Sequence, residues 1–143
     1  MNRESDLLRA VHFFETLSVD TVQQLNLMYT DDAFFKNPFN EAHGRPAICR
    51  VFKHMFMQVT APRLVVLTHA VQDNDAFLIW HFMFRMKFLS SAEQCIQGAS
   101  HLRFSKDGRI DYHCDYWDTA EELYEKVPLL GSLMRLLKRV TSS

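Results

Sequence analysis

Gly108-Arg109-Ile110-Asp111-Tyr112-His113-Cys114-Asp115-Tyr116-Trp117-Asp118 is the stretch on which the reading of this chain turns. A Gly-bearing turn leads into a run in which His113, Asp115 and Trp117 alternate, so the three share one face of a strand. Ionisable side chains beside an indole on a single face describe a pocket wall better than a plain core. The run before it, Gln94 to Phe104, is joined to it by Ser105-Lys106-Asp107-Gly108, a loop suited to a hairpin.

Working back toward the N-terminus, Ala76 to Leu89 is a nearly continuous apolar run, as expected for a strand at the centre of a sheet. Ser90 to Glu93 turns the chain out of it. Asp73-Asn74-Asp75 is a turn, and Arg63 to Gln72 is a further strand. Upstream of Arg63 the period becomes helical. Gly44-Arg45-Pro46-Ala47 opens a helix whose buried face is Ile48, Phe52, Met55 and Val59, and Pro62 ends it. Ala33 to Phe39 reads as a short extended piece, because Asn37 precedes Pro38 and is pushed away from helix. Ser5 to Thr16 reads as the first helix, with Leu7, Val11 and Phe14 on one face. Ser18 or Asp20 caps a second short one carrying Val22, Leu25 and Met28.

Downstream, Asp118 caps a helix with Glu121 as its capping-box partner, and an amphipathic segment runs from Leu129 to Val140. The prediction is one α+β domain over residues 1–143, with helices first, then an antiparallel meander, and 119–143 as a helical extension.

The 143 residues suit one core, and 48% of them are hydrophobic. The 12 Phe either pack that core or line an apolar cavity. A net charge of -1 provides no basic field for a phosphate backbone, so no nucleic-acid partner is expected. Cys49, Cys95 and Cys114 are odd in number and form no C-x-x-C pair, which favours a reducing compartment over a disulfide framework or a thiolate metal site. The charged start leads into no secretion segment, and no apolar run is long enough to span a membrane, so a cytoplasmic location is expected.

Three blocks together carry a resemblance. They are Tyr29 to Phe39 (YTDDAFFKNPF), Gly44 to Ile48 (GRPAI), and Gly108-Arg109-Ile110 with Asp115-Tyr116-Trp117-Asp118. With the order of elements, they resemble the SnoaL-like and nuclear-transport-factor-2-like superfamily over roughly residues 5–118. The resemblance implies a curved antiparallel sheet wrapped round the N-terminal helices, a cystatin-like cone with an internal pocket, and pairing into homodimers through the outer sheet face. It also implies a small hydrophobic ligand, with or without isomerase, cyclase or hydrolase activity.

The resemblance can be followed residue by residue. Ketosteroid isomerases carry a general-base Asp where this chain has Asn37, and oxyanion donors where it has Phe13 and Ser100. Limonene-type epoxide hydrolases end their last strand in a block similar to Cys114-Asp115-Tyr116-Trp117-Asp118, and Asp115 matches one of their catalytic acids. Their remaining Arg and Asp fall near His81 and Met83, so that pair is missing.

The candidate catalytic pair is Asp115 and His81, because a carboxylate beside an imidazole tunes both groups for proton transfer. This presumes that Phe77, Ile79, His81, Met83 and Arg85 form the concave face. Candidate ligand contacts are Asn37, His113, Met83, Trp117 and Phe13. No metal site and no cofactor is expected. The rival reading is a non-catalytic dimeric adaptor or lipid-surface protein acting through its sheet face and its basic tail, residues 129–143. For that tail, closure over the body of the domain is favoured over contact with an anionic membrane.

Overall fold

Asn2 starts the first helix, α1 (Arg3–Glu15), by accepting a hydrogen bond from the Ser5 amide at 3.2 Å, which satisfies a donor that the helix cannot. The computed structural model describes residues 2–87 and 93–118. The expected helices beyond Asp118, the amphipathic tail and most of the Ser90–Glu93 turn lie outside the described residues.

A 3-10 turn (Val22–Gln24) and the one-turn helix α2 (Leu25–Met28) run directly into β1 (Tyr29–Lys36). The extended piece expected from Ala33 therefore begins at Tyr29, with Asp31 and Asp32 inside the strand. A short β2 (Glu41–His43) pairs with it, and α3 (Arg45–Gln58) follows with Pro46 in its first turn. The long strands are β3 (Val59–Gln72), β4 (Asp75–Met86), β5 (Gln94–Phe104) and β6 (Ile110–Tyr116). Pro62 does not separate helix from strand, because β3 already begins at Val59. The proline is tolerated because β3 is an edge strand.

The curved sheet has the order β2-β1-β6-β5-β4-β3. From β3 to β6 it is the expected antiparallel meander. The exception is β1, which lies parallel to β6 and makes the sheet mixed. That pairing joins segments far apart in sequence, and no local pattern encodes it.

The helices and the inner sheet face enclose one core. Leu7, Tyr29, Ile48, Leu78, Leu102 and Ile110 are all less than 2% exposed. Each such large side chain contributes roughly 1.5–3 kcal/mol of hydrophobic stabilisation. A polar clamp fixes α1 to the turns. The buried Asp6 carboxylate pairs with Arg3 Nη1 at 2.8 Å and Arg9 Nη2 at 3.4 Å. Arg9 also donates to the Gly108 carbonyl at 2.9 Å, and Arg3 Nε donates to Asn74 at 3.0 Å. Gly108 has φ 86, and a Cβ there would meet Asp6 Oδ1 at 2.6 Å. Both its backbone conformation and the clamp therefore require glycine.

Candidate active site

Side-chain alternation decides which residues meet inside the sheet. On β4 the inward set is Leu78, Trp80, Phe82, Phe84 and Met86. On β5 it includes Ile96 and Ser100, and on β6 His113 and Asp115. These side chains, with residues of α3 and the start of β3, line a cavity of about 200 Å³. The roughly 150 Å³ of an engineered apolar cavity suffices for benzene. Most of the lining is apolar; Ser100, His113 and Asp115 form a polar cluster at the β5–β6 wall, while Asn37, Asn40, His54, Gln58 and Arg63 add polar groups elsewhere around the cavity.

Asp115 is the centre of that wall. Ser100 is its cross-strand partner, and Ser100 Oγ donates to Asp115 Oδ1 at 2.5 Å. His113, on the same strand and face, bonds the same oxygen through Nε2 at 2.7 Å. Two donors stand behind these. Trp80 Nε1 donates to Ser100 Oγ at 2.8 Å, and Tyr29 Oη bonds His113 Nδ1 at 2.6 Å with the two ring planes nearly parallel. Phe14 and Phe35 pack on the remaining sides of the imidazole.

The direction of each bond follows from donor chemistry. An indole N–H can only donate. Ser100 Oγ therefore accepts from Trp80 and turns its own hydrogen to Asp115. Tyr29 is fully buried, and burial first, then the Asp115 charge, push its phenol well above the ordinary value of 10.0. It keeps its proton, and among the described residues His113 Nδ1 is its hydrogen-bond partner. The phenol donates there, because an undonated buried O–H is costly. Nδ1 is thus an acceptor, Nε2 carries the ring hydrogen, and that hydrogen goes to Asp115 Oδ1. Both bonds end on Oδ1. The Asp115 side chain is 19% exposed and lines the cavity, whereas that of His113 is only 5% exposed.

Gly98 makes this arrangement fit. It faces Trp80 across the β4–β5 pairing, and the indole lies over it on the way to Ser100. A Cβ at Gly98 would come within 2.6 Å of Trp80 Cζ2 and 2.9 Å of Cζ3.

The expected site residues divide by face. Asp115, His113, Trp117 and Asn37 line the cavity. His81 does not. It belongs to the outer set with Phe77, Ile79, Met83 and Arg85, so the face assumed for β4 is corrected by one residue, and His81 and Asp115 point to opposite sides of the sheet. Met83 likewise faces outward, where its sulfur accepts from Arg63 Nη2 at 3.1 Å. Phe13 is buried in the core, edge-on to Phe14, and is not part of the cavity lining. Asn37 Oδ1 is occupied by the amides of Phe39 at 2.9 Å and Asn40 at 2.7 Å, which fixes the loop at the rim.

The sequence reading placed Ser100 at an oxyanion-donor position of the resemblance but gave Tyr29 and Trp80 no site role, and His54 also lines the cavity. One signal could have corrected β4: the outward set contains His81 and Arg85, whereas the inward set is wholly apolar. That rule also bears on the hydrolase resemblance, since the inward face of β4 offers no Arg and no Asp. Among the described residues, no cluster of His, Cys, Asp and Glu could hold a metal ion, and no helix is long and apolar enough to cross a membrane.

Comparison with known proteins gives the same fold. A structure from Burkholderia pseudomallei, a nuclear-transport-factor-2-like protein of unknown function, superposes with TM-score 0.72 at 14% identity, covering 85% of this chain and 94% of that one. An epoxide hydrolase of the limonene type from M. tuberculosis gives 0.70 at 16% identity, covering 93% and 94%. A structure from a Jannaschia species, assigned to the SnoaL-like polyketide cyclases, gives 0.73 at 9% identity, covering 85% and 89%. Among curated proteins none matches the sequence. The SnoaL-like domain family matches residues 10–113, most of the chain and every strand through His113. This protein therefore belongs to the SnoaL-like domain family.

Proposed function

We propose that this protein binds a small, largely apolar molecule in the cavity and moves a proton on it through Asp115. One observation carries the reading: neutral donors converge on Asp115 Oδ1, while Oδ2 of the same carboxylate is left for the cavity. A carboxylate oriented this way accepts a proton from a bound carbon acid or water at Oδ2 and returns it to another atom of the bound molecule. His113, rather than His81, is its imidazole partner and acts as a positioning residue. Asn37 Nδ2 and Trp117 supply rim contacts. Isomerisation, cyclisation and hydration all use such a step, and the limonene-type hydrolase among the structural relatives works on an epoxide.

The test begins with native mass spectrometry of protein purified without added ligand, followed by turnover assays on whatever molecule is retained. Asp115→Asn should abolish turnover and leave the fold intact. Full activity of that variant would sink the proposal.

The outer sheet face supports pairing of two copies. Phe77, Ile79 and Tyr116 are 45%, 47% and 57% exposed there, with His81 and Met83 on the same face of β4. A contiguous apolar face of this kind marks an interaction surface. Ile79→Glu should convert a dimer to a monomer in sedimentation equilibrium. A wild-type chain that is monomeric at micromolar concentration would refute the pairing.

A further inference from the structure

The groups around the Asp115 carboxylate are neutral donors. Ser100 gives an O–H, and His113 gives an N–H from a ring whose other nitrogen accepts from Tyr29. Other titratable or charged side chains lining the cavity, among the described residues, are His54 on α3 and Arg63 at the edge strand. The Arg63 guanidinium reaches across to Met83 on the outer face and is exposed. Among the described residues, the cavity wall thus presents a carboxylate with no Lys or Arg bonded to it. The same cavity is lined by the rings of Phe14, Phe35, Phe52, Trp80, Phe82 and Trp117. Aromatic faces are electron-rich and attract cations, more so where water is scarce.

We propose that the ligand class of this cavity is a compact hydrophobic cation, a protonated amine whose N–H meets Asp115 Oδ2 and whose apolar body fills the ring-lined space. Electrostatics favours this over a neutral ligand, because a carboxylate removed from bulk water gains most from an opposite charge. The cavity volume of about 200 Å³ sets the scale as one ring with a short substituent. This deepens the reading given above and rests on it for the cavity as the binding site. In catalysis the same arrangement would favour a substrate that carries or develops positive charge next to Asp115.

The experiment uses a matched pair of probes, benzylammonium and benzyl alcohol, titrated calorimetrically into the full chain at neutral pH. The expected result is at least tenfold tighter binding of benzylammonium, with the Trp80 indole N–H resonance shifted by both probes. Asp115→Asn should remove the preference by weakening benzylammonium while benzyl alcohol still binds. Equal or tighter binding of benzyl alcohol to the wild type overturns the cation assignment and leaves the cavity as a ligand site. A preference that persists in folded Asp115→Asn overturns the assignment too, because the cation would then be held elsewhere. Failure of both probes to bind, with no indole shift, removes the binding-site reading along with it. The wild-type comparison alone decides the charge preference if Asp115→Asn does not fold.

Discussion

Gly98→Ala is the sharpest single test of how the site is built. The added methyl carbon would lie 2.6 Å from Trp80 Cζ2 and 2.9 Å from Cζ3. Carbon atoms pack at about 3.5–4.0 Å, so the indole must retreat by roughly 1 Å. Trp80 is 6% exposed and hemmed in by the core, so the move strains its neighbours. Overpacking of this kind costs about 1–3 kcal/mol. The retreat also breaks the 2.8 Å bond to Ser100 Oγ, for a further net loss of about 0.5–1.5 kcal/mol. Together these predict a loss of about 2–4 kcal/mol in urea denaturation. At a few degrees per kcal/mol for a chain of this size, the melting temperature should fall by roughly 6–15 °C. Near-UV circular dichroism should change with the indole environment, and Ser100 should lose its fixed orientation toward Asp115. The control is Trp80→Phe, which lacks the colliding atoms. In the double variant Gly98→Ala should cost much less than it does alone. Gly98→Ala with wild-type stability and spectrum, or strictly additive effects in the double variant, would refute the argument.

Other outcomes follow from the same structure. Tyr29→Phe leaves His113 Nδ1 without its donor and should destabilise the fold by about 1–3 kcal/mol in chemical denaturation. Nitrogen NMR of the wild-type imidazole should show His113 in the Nε2–H tautomer, and a dominant Nδ1–H form would contradict the proton directions argued above. Asp6→Ala removes the acid shared by Arg3 and Arg9 and should lower stability by about 3 kcal/mol or somewhat less, given the exposure of Arg9. Asp111 has a buried Oδ1 with no partner among the described residues, and burial raises its pKa above 3.8. Its charge therefore opposes folding at neutral pH, and that penalty fades as pH falls through the raised value toward 3.8. Asp111→Asn should stabilise the protein at pH 7 by less than about 1 kcal/mol after solvent screening, and the gain should disappear in acid. A stabilisation that grows on acidification would reverse that sign.

The sequence alone determined the helices and the meander, because period and turn chemistry are local properties. Leu7 and Phe14 mark one helix face, Asp73-Asn74-Asp75 and Ser105 to Gly108 mark turns, and the alternation of His113, Asp115 and Trp117 marks a pocket-facing strand. The same locality explains what stayed hidden. On β4 both alternating sets carry large apolar side chains, and only His81 and Arg85 mark the outward one, a weaker signal than the full alternation of β6. The sheet register chose Trp80 and Phe82 over His81 and Met83. The parallel pairing of β1 with β6 is a long-range event, and it alone brings Tyr29 to His113. Ser100 meets Asp115 because a hairpin register sets them opposite each other, and Trp80 reaches Ser100 because Gly98 has no side chain to block it. Residue type and spacing thus fixed which groups were available, while the direction of each proton in the site was decided by contacts that exist only once distant strands are packed together.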